Sequence, residues 1–130
     1  MKQKEILEYN KRCAEFLGYI NLTPDDKDFD FYEKLDGVLG KMLEPKSMKF
    51  HSDWNWIMEV VEKIQTLDKL GGIVMIQQGR CKITSRMAGD NSVYADVSHY
   101  YLHGMKKQKE AVVQAINQFL IWYNDSSRNN

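Results

Sequence analysis

Between Trp54 and Tyr123 the apolar side chains change their spacing twice, and this constrains the fold more than any other feature of the sequence. Trp54, Ile57, Met58, Val61 and Ile64 recur at helical spacing, and Trp56, Val60 and Leu67 widen the stripe. Ser52 suits the N-cap of this helix, and Asp53 adds charge that the positive helix end favours. From residue 73 the spacing drops to two. Residues 73–77 are rich in β-branched side chains, Cys81 and Ile83 share one face of 80–85, and Val93, Ala95 and Val97 alternate with Tyr94, Asp96 and Ser98. Gln78-Gly79 and residues 88–91 supply turns short enough for an antiparallel meander. Helical spacing returns at Met105 and lasts to Tyr123.

The N-terminal part is less regular. Ile6, Leu7, Tyr9, Cys13, Ala14, Phe16 and Leu17 fall on one half of a helix over residues 2–17, which Gly18 terminates. Asn10 interrupts that apolar half, so it is expected to be buried with a hydrogen-bond partner. Residues 29–39 read either as a strand followed by a helical turn or as one short helix. Residues 48–51 read as a short strand. The expected architecture is α+β: two N-terminal helices, a three- or four-stranded antiparallel sheet, and a C-terminal helix packed on the sheet. The fourth strand is expected from 29–35 or 48–51. With 130 residues the chain fits a single domain over 1–130, ordered over about 3–124 and frayed over 125–130.

Lys+Arg and Asp+Glu are equal at 18 each, so the overall basic footprint of a nucleic-acid-binding protein is absent. Acidic residues gather at Asp25, Asp26, Asp28, Asp30, Glu33 and Asp36. Basic ones gather at Arg80, Lys82, Arg86, Lys106, Lys107 and Lys109. This asymmetry reads as two solvated faces, or as a head-to-tail contact or basic anion site. Cys13 and Cys81 lie far apart and no apolar leader precedes the first helix, so free thiols in a reducing cytoplasm are expected. No apolar run approaches bilayer length, and no membrane partner is expected.

One stretch carries a resemblance. Phe50-His51-Ser52-Asp53-Trp54-Asn55-Trp56-Ile57-Met58, followed by Val60-Val61-Glu62-Lys63-Ile64, resembles a group of small phage and prophage proteins with an aromatic-His, a Trp-Asx-Trp pair and a Val-Val-Glu-Lys-Ile run. The resemblance extends weakly to residues 73–83 and 119–124 and does not reach 1–47. It implies an accessory protein of a mobile element acting on a host component, and it implies no activity.

Motifs for chemistry are sparse. Residues 26–30 mimic the start of a calcium loop, but Phe31 and Gly37 stand where glycine and glutamate are required. Asp96, His99 and His103 outline a weak three-ligand zinc set without the cluster that zinc needs. No phosphate loop, nucleophile elbow or metalloprotease helix occurs, so no catalytic residue, metal or cofactor is assigned. The candidate ligand or interface residues are His51, Trp56, Tyr94, Arg80, Lys82, Arg86 and Trp122. Aromatic side chains bury much area at little entropy cost, and the hairpin cations suit a small anionic ligand.

The expected function is a non-enzymatic binding protein, contacting a host protein or a small anionic ligand and self-associating, with a two-fold dimer favoured. Trp56, Ile121 and Trp122 are expected at the dimer contact, because both helical arcs look too wide for one sheet layer to cover. The alternatives are an enzyme built around His51, Asp53 and Tyr94, or a weak nucleic-acid module using the hairpin cations and residues 106–109.

Overall fold

The computed structural model describes residues 1–24, 31–36, 39–67, 72–85, 92–98 and 105–128. Helix α1 (Gln3–Phe16) buries Tyr9, Asn10, Cys13 and Ala14, and Gly18 leaves it at a positive φ of 89°. Asn10 is buried as its helical phase requires. Its amide donates to the carbonyls of Pro45 (2.9 Å) and Met48 (3.1 Å), fastening α1 to the segment that leads into α2.

The irregular stretch after α1 is a small sheet of its own. Strands β1 (Ile20–Asn21), β2 (Tyr32–Asp36) and β3 (Leu39–Leu43) pair antiparallel in that order. Among the described residues neither the short helix nor a fourth strand in a single sheet forms. Tyr32 is buried, and its hydroxyl donates to the Glu15 carboxylate at 2.9 Å, tying this sheet to α1. Residues 48–51 are not a strand either. Pro45 opens a short 3-10 helix (Pro45–Ser47), and turns carry the chain through Phe50, whose carbonyl accepts from Tyr9.

Helix α2 (Trp54–Thr66) is capped by Asp53, whose carboxylate accepts from the Asn55 amide at 2.8 Å; Ser52 is not the cap. It buries Ile57, Val60, Val61 and Ile64. The buried arc is therefore centred nearer Val60 than the expected stripe. Trp54 and Met58 fall on its flanks, Trp54 half-buried and Met58 44% exposed.

Strands β4 (Gly72–Gln77), β5 (Arg80–Ser85) and β6 (Val93–Ser98) form the expected meander as a second antiparallel sheet. Gly79 takes a positive φ of 68° in the β4–β5 turn. Helix α3 (Met105–Arg128) crosses this sheet and buries Ala111, Val112, Ala115, Ile116, Phe119 and Leu120 against it. It continues five residues past Tyr123, to Arg128. No glycine or proline interrupts it there. Arg12 of α1 donates to the Asn117 side chain of α3 at 3.0 Å, closing the helix layer.

One register shift changes which residues face the core. Ile83 pairs with Ala95 but Thr84 pairs with Val93, so Tyr94 is an extra residue in a β-bulge. Simple alternation would turn Val93 inward and Tyr94 outward. The bulge reverses both: Tyr94 packs on α3, and Val93 is 52% exposed. Gly72 accommodates this packing, since a Cβ there would meet the Thr84 carbonyl and the Ile83 side chain, with the Tyr94 ring close behind. Among the described residues no helix is long and apolar enough to cross a membrane.

Candidate functional site

The candidate residues divide among three places. His51 lies in the turn before α2 and lines a cleft of about 200 Å³ with Met1, Ile6, Glu110, Val113 and Gln114. Its Nδ1 is shut off from solvent without a hydrogen-bond partner. Burial pulls the imidazole pKa below its ordinary 6.5, so the neutral ring is favoured. Beside it, Lys109 donates to the Ser52 carbonyl at 2.8 Å, with its ammonium 5.8 Å from the centre of the Trp54 ring. The cleft offers a neutral imidazole, a carboxylate and an amide together.

Tyr94 and Trp122 meet elsewhere. Their rings stack at 4.1 Å with 22° between planes, and Phe119 and Tyr123 continue the aromatic group towards Phe16 on α1. Trp122 is thus half-buried inside the protomer. Trp56 is likewise half-buried, edge-on to Phe50 at 4.8 Å. The wide helical arcs that suggested a subunit contact are covered largely from within; Ile121 remains exposed.

His51, Asp53 and Tyr94 do not converge. Asp53 caps α2, and His51 neighbours residues 110–114 of α3 while Tyr94 neighbours 119–122. Five to twelve residues of helix put those stations roughly 8–18 Å apart along its axis.

Arg80 and Lys82 lie on the face of the second sheet turned away from α3. Arg80 clasps Asp96 in a two-pronged pair, Nε to Oδ1 at 2.9 Å and Nη2 to Oδ2 at 2.8 Å. Asp96 titrates below the usual carboxylate range because it accepts these bonds. The guanidinium is thereby committed, which weakens the anion-site reading. Arg86, His99, His103, Tyr100, Tyr101 and the acidic run 25–30 lie outside the described residues. Cys13 and Cys81 are free and buried. Burial holds both thiols protonated, that of Cys81 at a pKa of about 12.

Sequence reasoning missed the residues that dominate this outer face. Cross-strand register aligns Ile73, Thr84 and Val93 in one row, Met75, Lys82 and Asp96 in the next, and Gln77, Arg80 and Ser98 in the third. Ile73, Met75 and Val93 are all exposed. Ile73 and Met75 were legible as an uncharged alternation; Val93 was hidden by the bulge. Gln108 was missed as well. It accepts from the Gly79 amide at 2.9 Å and donates to the Arg80 carbonyl at 3.3 Å, holding the hairpin tip to α3. No family model, curated protein or solved structure matches the chain.

Proposed function

We propose that this chain is a non-enzymatic interaction protein that works by association, first of all with itself. The observation that carries this reading is where the apolar surplus lies. Ile73, Met75 and Val93 are exposed on the second sheet, while Tyr94, Trp122, Asp53 and Arg80 are engaged within the fold. Exposed apolar side chains gathered on one face mark interaction surfaces, whereas scattered ones need no explanation. The resemblance of residues 50–64 to small phage and prophage proteins agrees with an accessory role on a host component, exercised by the associated form.

Sedimentation from low to high micromolar concentration tests the reading. The expected outcome is a weight-average mass that rises above 15.3 kDa with concentration. A fixed mass of one chain throughout rejects it.

A second reading draws on the His51 cleft. A buried nitrogen without a partner, beside Glu110 and Gln114, fits a small polar ligand. Native mass spectrometry of protein purified from cells would then show a retained small molecule that His51→Ala loses. The bare chain mass in both proteins rejects it.

A further inference from the structure

Among the described strands longer than two residues, β4 is the one without a charged side chain. The uncharged, proline-free run continues through the turn as Gly72-Ile73-Val74-Met75-Ile76-Gln77-Gln78-Gly79 and is bounded by Arg80. In the order β4-β5-β6 it is also an outermost strand of its sheet. Edge strands of native proteins are commonly blunted by charges or prolines that block pairing with another chain. β4 carries neither.

The hold of the core on this strand runs out along its length. Gly72 is buried and Val74 half-buried, but Met75, Ile76, Gln77 and Gln78 are exposed in succession. Ile76 shares the core-side phase of Gly72 and Val74, yet it is 38% exposed. Neither face of the second half of β4 is therefore gripped by the fold. The Gln65 side chain accepts from the Val74 amide at 3.4 Å and covers the first half of the edge. Ile76, whose backbone turns to the same edge, lies about 7 Å further along.

We propose that residues 72–79 are a self-recognition segment: when β4 peels away from β5, its partner is β4 of another copy, stacked in register as a cross-β assembly. An extended strand presents Ile73, Met75 and Gln77 on one face and Val74, Ile76 and Gln78 on the other. Each face thus carries two apolar side chains followed by an amide. Copies stacked every ~4.8 Å set apolar rows against like rows and align both glutamines in hydrogen-bonded ladders. The segment's own copy is the partner that this pattern fits, because no charge meets itself. In-register stacking of β2, β3, β5 or β6 would place a lysine, arginine, aspartate or glutamate directly on its like.

This contact forms from partly opened chains and persists on dilution. It therefore goes beyond the reversible association of folded chains proposed above, and each is tested without the other.

The test incubates the full chain beside Met75→Lys, Gln77→Lys and Val93→Lys, each at its own urea midpoint so that equal fractions are open, and follows thioflavin T fluorescence. All three positions are exposed, so lysine is tolerated in the folded chain. Wild type should form fibres with a ~4.8 Å cross-β reflection. Their protease-resistant core, read by mass spectrometry, should include residues 72–79. Met75→Lys and Gln77→Lys should each lengthen the lag by about tenfold or more, because stacked lysines repel. Val93→Lys, on the same sheet face but outside the segment, should keep the wild-type lag. Should Met75→Lys fail to fold, Gln77→Lys decides. A wild-type chain that gives no fibres, a resistant core that excludes residues 72–79, or segment variants with the lag of wild type or of a slowed Val93→Lys would overturn the proposal.

Discussion

The two sheets have the same number of strands and the same antiparallel order, yet they are held in different ways. The second is a layer. Alternate residues of β5 and β6 are buried beneath α3, and Cys81, Ile83, Ala95 and Val97 meet Val112, Ile116 and Phe119 in one core. The first is an attachment. Among its described residues Tyr32 is the deeply buried side chain, anchored to Glu15, while Ile20 and Met42 face water, Met42 at 61% exposure. A sheet covered by a long helix draws stability from continuous apolar burial. A sheet without one depends on a few specific bonds.

The largest expected effect sharpens that contrast. Ile83→Ala on the central strand of the second sheet should cost about 2–5 kcal/mol, since it empties a fully buried site between β5 and α3. Urea denaturation monitored by far-UV circular dichroism measures it, and a midpoint equal to wild type would break the comparison. Next comes Asn10→Ala, which strips the Pro45 and Met48 carbonyls of their donor where the first sheet hands over to α2. A loss of about 1–3 kcal/mol is expected in the same assay. Tyr32→Phe keeps the ring and removes only the hydroxyl donated to Glu15, so about 0.5–1.5 kcal/mol is expected. If Tyr32→Phe proves more damaging than Ile83→Ala, the first sheet is no mere attachment.

The smallest effect is a pH dependence. Burial lowers the pKa of His51 from 6.5, so above that value the imidazole is neutral in both states and its burial costs nothing extra. As pH falls below 6.5 the unfolded chain takes up the proton first, and stability declines until the folded-state pKa is passed. His51→Gln should flatten that part of the profile, read as urea midpoints on either side of pH 6.5. An unchanged slope would show that His51 is as well solvated folded as unfolded.

This contrast also explains what was legible in the sequence. The second sheet and the three helices follow from periodicity, because a buried face repeats every two or every 3.6 residues. Asn10 was legible for the same reason, as a polar residue in apolar phase. The first sheet was not, because its strands are only two to five residues long and Tyr32 is the one deeply buried side chain among their described residues, which leaves no period to find. Trp54 was placed too deep because apolar character shows that a face is buried and not where its centre lies. At Tyr94 the alternation was sound but the register was not, since a bulge is a tertiary accommodation to α3 and Gly72. That single shift moved Tyr94 from a surface candidate to the core side. It also exposed Val93, so the apolar row on the outer face could not be assembled from the sequence.

Sedimentation equilibrium of the wild-type chain beside Val93→Lys tests most directly whether that row is a working surface. A wild-type mass that climbs from 15.3 kDa towards twice that value with concentration, and a Val93→Lys mass that does not, is the predicted result. Two identical monomer curves, or two identical association curves, would contradict it.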